Sequence, residues 1–244
     1  MKVDLNRIDG IDDAIISMFL SKRTLTPELE LEIRQEVARC SNHVPSRDTP
    51  IGALTEASPK LRDWLDKLMK WGTRHITMLR FIDLSFSVYG LHRGGQDDWD
   101  AHACRFNNRI IRSSTRMANF GQSEMSGFYE DKIVPTDAAL AALGIEMPEE
   151  VTLGDRTYVR AVNGYILKGH EDDKDYKRGL YMMSIPSDFI FRIQATEFAH
   201  VYRERNDDGS AHPEVKEVAE SCATQVAGAT LGYLDKKTLM EIRQ

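Results

Sequence analysis

Between Pro59 and Val88 the hydrophobic period changes once, and that change limits the possible folds more than any other feature of the sequence. In PKLRDWLDKLMKWG, Leu61, Trp64, Leu65, Leu68 and Met69 recur every three to four residues. That spacing places them on one face of a helix that Ser58-Pro59 starts and Gly72 stops. Shortly after, Ile82 to Val88 (IDLSFSV) alternates apolar and polar positions, which predicts a half-buried strand. A chain that must bury both a helical stripe and a sheet face combines helices with at least one sheet.

The same reading extends along the chain. Thr26 to Arg39 opens with a Thr-Pro helix start and spaces Leu29, Leu31, Ile33 and Val37 as an amphipathic helix. Ser41 to Pro59 and the polar run LHRGGQDDWD read as loops, and Ala101 to Met117 (AHACRFNNRIIRSSTRM) as a helix breaking into a polar loop. Residues 121–177 look like an insertion, with a helix in TDAALAAL, a strand in RTYVRAV and the acidic run HEDDKDYKR. A strand (FIFRIQ), a helix (ATEFAHVYRER), a turn (NDDGS) and a long helix from Pro213 follow. The length suits one or two domains able to bury a core of their own.

Composition removes several classes of function. A net charge of −6, with no run of five basic residues, argues against DNA or RNA as a partner. Cys40, Cys104 and Cys222 are scattered and odd in number, which suits a reducing compartment and a cytoplasmic location. The start of the chain, MKVDLNRIDG, has no apolar signal region, and no stretch reaches the roughly 20 apolar residues of a membrane helix. His75, His102, His200 and His212 have no HExxH or CxxC company, so no metal is expected. The GxSxG, Walker and GxGxxG patterns are absent as well.

The densest group of phosphate-compatible side chains lies between Arg105 and Arg116, with Arg109, Arg112, Ser113 and Ser114. Guanidinium forks match phosphate oxygens and serine adds a rotatable hydroxyl. A solvated, salt-bridged surface accounts for such a stretch equally well.

Three stretches together resemble the flavin-dependent thymidylate synthases. LMKWGTRHITMLRFIDLSFSV resembles the segment in which a His-x-Thr precedes a Phe-rich strand; His75 and Thr77 match it, while Arg80 and Phe81 stand where a Glu-His pair is usual. CRFNNRIIRSSTRM resembles a degraded signature. Ser114 falls on its substrate-phosphate serine and Arg116 on the following arginine, Cys104, Arg105 and Phe106 on its flavin-contacting Arg-His-Arg triplet, and Arg112 on a Glu near the substrate. RGLYMMSIPSDFIFRIQATEFAHVYRERNDDGSAHPEV is similar to the family's closing run. There Arg178 and Arg205 match two substrate-binding arginines, and Gln194, Thr196, His200 and Ser210 stand where flavin contacts are usual.

The resemblance implies an α/β fold, a mixed sheet flanked by helices, formed as a single domain over residues 1–244 with the insertion at 121–177, and a flavin enzyme that alkylates C5 of a uridine monophosphate. FAD would be the cofactor, NADPH the reductant and 5,10-methylenetetrahydrofolate the carbon donor, in a homotetramer with shared active sites. Arg205 would be the catalytic group beside the pyrimidine, and Ser114, Arg116, Arg178 and Arg112 would meet the nucleotide. UMP and dUMP are both candidate substrates, with UMP favoured by the broken signature. Three alternatives stay open: hydroxymethylation of another pyrimidine nucleotide, attack on C6 by a Cys104 thiolate, and a non-catalytic nucleotide-binding relic.

Overall fold

The computed structural model describes residues 1–46, 48–103, 109–114, 137–161, 163–172, 180, 183–206 and 211–242. Its contacts divide the chain into two compact units. The first holds Met1, Tyr89–Asp97 and Arg112–Asp188, and the second Lys2–Val88, Asp98–Ile111 and Phe189–Gln244.

In the second unit, β1 (Lys2–Asp9) leads through Gly10 into α1 (Ile11–Ser21). Helix α2 (Pro27–Cys40) is capped by the Thr26 hydroxyl, which accepts from the Leu29 N–H at 3.2 Å, and α3 (Pro59–Gly72) by Ser58, which accepts from Leu61 N–H at 3.1 Å. Leu61, Trp64, Leu65 and Leu68 are buried, as their spacing predicts. On α2 the buried stripe is Ile33, Val37 and Cys40, whereas Leu31 is 57% exposed. Leu31 sits two residues before Ile33, about 200° round the helix, so it corrects the expected face.

A 3-10 turn (Ile76–Phe81) enters β2 (Asp83–His92), where Leu84, Phe86 and Val88 are buried and the residues between them are not. Strand β7 (Pro186–Gln194) presents Phe189, Phe191 and Ile193 in the same rhythm and runs straight into α6 (Ala195–Asn206). The Phe86 ring lies 5.0 Å from Phe191 and 5.7 Å from Phe198, and Trp99 meets Phe191 edge-on at 5.3 Å. This aromatic group is the centre of the core. Helix α7 (Pro213–Ala229) covers β1, and its Gln225 side chain accepts from the Leu5 N–H at 2.6 Å and donates to the Val3 carbonyl at 2.8 Å. Those two bonds satisfy backbone groups on β1. Helix α8 (Lys236–Glu241) closes the chain, capped by Asp235.

Two expectations are corrected in the middle of the chain. Instead of a loop after β2, α4 (Arg93–Ala103) follows at once, with Gln96, Trp99 and Asp100 buried at helical spacing. Two of those three are polar, which hid the stripe from a reading based on apolar residues. The arginine-rich segment is a strand, β3 (Arg109–Arg112), where a helix and loop are expected. The four-stranded sheet has the order β1-β2-β7-β3.

In the first unit, α5 (Asp137–Ala142) precedes an antiparallel meander of β4 (Glu150–Leu153), β5 (Arg156–Ala161) and β6 (Gly164–Leu167). The helix and strand expected within residues 121–177 are therefore present, and the meander forms a second, separate sheet. Residues 121–136 and 173–177 lie outside the described residues. Among the described residues no helix is long and apolar enough to cross a membrane.

Candidate functional site

The second unit contains an open cleft of about 470 Å³. Ser17, Ser21 and Lys22 come from the end of α1, Trp71 from the end of α3, His75 from the residue before the 3-10 turn, and Thr77, Met78 and Phe81 from the turn itself. Local geometry fixes the wall. The His75 N–H donates to the Trp71 carbonyl at 2.8 Å, and the two rings stack with centroids 6.0 Å apart and planes 19° apart. The Lys22 ammonium lies 4.5 Å from the centre of the Trp71 ring, within cation–π range. The serine hydroxyls are turned back into their own helix, Ser17 donating to the Ala14 carbonyl at 2.7 Å and Ser21 to Met18 at 2.8 Å.

Phe81 is held by its backbone as well as by packing. Gly10 has φ +79°, and a Cβ there would come within 2.0 Å of the Phe81 carbonyl oxygen. Only glycine permits this approach of the β1–α1 corner to the end of the turn. Trp71 and Phe81 nevertheless stay 41% and 51% exposed. Two large exposed rings beside a stacked histidine and a cation make a surface suited to a flat, conjugated ligand with a polar or anionic substituent.

A second group of polar side chains surrounds α6. Arg205 is only 4% exposed; its Nη1 donates to the Asp98 carboxylate at 2.9 Å and its Nη2 to the Asp98 backbone carbonyl. The Arg205 Nε, the Trp99 Nε1 and the Thr196 hydroxyl are buried without a hydrogen-bond partner. Gln194 ends β7, Thr196 is fully buried in the first turn of α6, and His200 Nδ1 lies 3.7 Å from a Glu204 carboxylate oxygen.

Of the residues singled out from the sequence, His75 and Thr77 meet in the cleft, and Gln194, Thr196, His200 and Arg205 belong with them to the second unit. Arg112 and Ser114 belong to the first unit, where the Arg112 Nη1 donates to Asp97 at 2.9 Å and the neighbouring Ser113 N–H to the Asp188 carbonyl at 2.7 Å. Cys104, Arg105, Phe106, Arg116, Arg178 and Ser210 lie outside the described residues. Sequence reasoning missed Lys22, Trp71 and Asp98, and took Phe81 only as a departure from the usual Glu-His pair. Trp71 did carry a signal, being a tryptophan at a helix end outside the buried stripe. Asp98 carried none, as one of three acidic residues in a short polar run.

No protein-family model and no curated protein matches the sequence. Solved structures do match its fold, flavin-dependent thymidylate synthases among them. Thymidylate synthase X from Helicobacter pylori, solved with FAD and dUMP, aligns with 98% of this chain over 100% of its own, at TM-score 0.57 and 14% identity. A second structure of that enzyme with the same ligands aligns equally well, over 99% of its length. The UMP/dUMP methylase PolB from Streptomyces cacaoi, bound with 5-Br dUMP, aligns with 96% of this chain over 92% of its own, at TM-score 0.50 and 12% identity.

Proposed function

We propose that this chain is a flavin-dependent C5-methylase of a uridine monophosphate, UMP or dUMP. The observation that carries the reading is the cleft, which joins His75 and Thr77 to the exposed Trp71 and Phe81 rings on a fold of this class. FAD suits it in chemistry: a flat conjugated ring has the stacked Trp71–His75 pair to lie against, and Lys22 and Thr77 offer donors to polar or phosphate atoms. When bound, FAD would carry electrons from NADPH and take part in transfer of the one-carbon unit of 5,10-methylenetetrahydrofolate to C5.

The chain's own residues bind, orient and stabilise charge. Ser114, Arg116, Arg178 and Arg112 hold the nucleotide. Arg205 offers N–H donors to the ring as negative charge develops on it, a contact that strengthens towards the transition state. Cys104, Arg105, Phe106, Gln194, Thr196, His200 and Ser210 are assigned to the flavin side. A homotetramer with sites shared between subunits, a single functional domain over 1–244 and a cytoplasmic location complete the proposal.

The test is to titrate the purified protein with FAD while following tryptophan fluorescence and the visible flavin band. One-carbon transfer from 5,10-methylenetetrahydrofolate to UMP, dUMP and dCMP is then assayed with NADPH present. A yellow protein that methylates UMP or dUMP is expected. A colourless protein that binds dUMP but never FAD overturns the enzyme in favour of a nucleotide-binding relic, and turnover of dCMP alone overturns the substrate.

A further inference from the structure

Arg205 is the most deeply buried guanidinium paired to a carboxylate among the described residues, and its pairing is one-sided. Asp98 supplies both acceptors, one from its carboxylate and one from its backbone carbonyl, and so balances the charge locally. What remains unsatisfied is not charge but hydrogen-bonding capacity. The Arg205 Nε–H and the N–H of Trp99, the residue next to Asp98, are both buried donors without an acceptor. A buried donor left unmade is costly, and a ligand bringing oxygen acceptors would satisfy it. A phosphate dianion is the wrong acceptor here, because the cation that would repay its desolvation is already neutralised.

We propose that Asp98 is a specificity-determining residue: by balancing Arg205, it makes this position take a neutral ring that displays carbonyl oxygens, and reject a phosphate. The inference rests on the reading of Arg205 as the ring-side arginine of a uridine nucleotide. It adds that Asp98 sets which end of the nucleotide Arg205 receives. Both residues belong to the second unit and are joined by the α4–α6 contact, so the device lies within one compact body.

The experiment uses the full chain, uridine as the neutral probe and inorganic phosphate as the anionic one, with binding followed by calorimetry. In the unmodified protein, phosphate should leave the uridine Kd unchanged. In Asp98→Asn, which keeps an oxygen acceptor and removes the charge, phosphate should compete with uridine and raise its apparent Kd by about tenfold or more. Asp98→Glu should restore the insensitivity. A folded Asp98→Asn protein whose uridine Kd stays insensitive to phosphate overturns the proposal. So does displacement of uridine by phosphate in the unmodified protein, a result that needs no variant to fold. If the unmodified protein binds no uridine, UMP or dUMP, the nucleotide reading of Arg205 fails. Charge balancing is then decided separately by direct phosphate binding, expected to be about tenfold tighter in Asp98→Asn than in the unmodified protein; equal affinity in both overturns it.

Discussion

Gly10→Ala should destabilise the protein by about 3 kcal/mol, and the reason can be separated into two parts. Gly10 has φ +79°, so any other L-residue there carries the cost of the left-handed region, roughly 1–2 kcal/mol. Replacing glycine also stiffens the unfolded chain, which returns about 0.4–1 kcal/mol. The second part is contact. The new Cβ would stand 2.0 Å from the Phe81 carbonyl oxygen and 3.0 Å from its carbon, both backbone atoms. Reaching normal separation requires the corner or the 3-10 turn to move by more than about 1 Å, and strain of this kind in packed regions costs roughly 1–3 kcal/mol. Gly232 is the internal control, with φ +87° and nothing within 4 Å of a Cβ. Gly232→Ala should therefore cost no more than about 1.5 kcal/mol, the left-handed term less the unfolded-state gain. Urea unfolding followed by circular dichroism measures both. If the two variants lose stability equally, to within about 0.5 kcal/mol, the close approach of Gly10 to Phe81 does not hold the turn.

Other perturbations test the core, the electrostatics and the cleft. Phe191→Ala removes the ring that meets Phe86 at 5.0 Å and Trp99 at 5.3 Å, and should cost about 3–5 kcal/mol in denaturant unfolding. A loss below about 1 kcal/mol would place the centre of the core elsewhere. Hydrogen bonds from Arg39 and then Ser58 hold the Glu36 carboxyl down from its ordinary 4.5 to about 2. A lowered carboxyl contributes stability above its unfolded pKa and loses it as pH falls through the folded one. The gap between the unmodified protein and Glu36→Gln should thus be greatest above about pH 5 and close towards pH 2, at roughly 0.5 kcal/mol because Arg39 is half exposed. A gap that does not depend on pH would remove the ionic contribution. Trp71→Ala should weaken FAD binding by about two- to tenfold with an unchanged melting temperature, since one stacking partner contributes roughly 0.5–1.5 kcal/mol. An unchanged FAD affinity would move the flavin away from this cleft.

Much of the fold was legible in periodicity and caps. The α2 and α3 boundaries followed from Thr26-Pro27, Ser58-Pro59 and Gly72, because capping and proline placement are local properties of the chain. The β7-to-α6 succession followed from a switch of period at Gln194. Helix α4 was not legible, since its buried positions Gln96 and Asp100 are polar and its partners come from distant parts of the sequence. Strand β3 escaped for a similar reason: a four-residue strand rich in arginine acquires its state from pairing, not from its own preference.

The sequence by itself determined most of the helices and strands and, through the family resemblance that His75, Thr77, Ser114 and Arg205 carry, the kind of ligand to look for. It did so because hydrophobic period, capping and residue type act over a few neighbours. Only the tertiary structure decided that Trp71, Phe81 and Lys22 join His75 in one cleft, and that Asp98 occupies Arg205. Those facts depend on contacts between residues up to 107 positions apart, set by how the α1, α3 and α4 ends pack, and no local pattern encodes them.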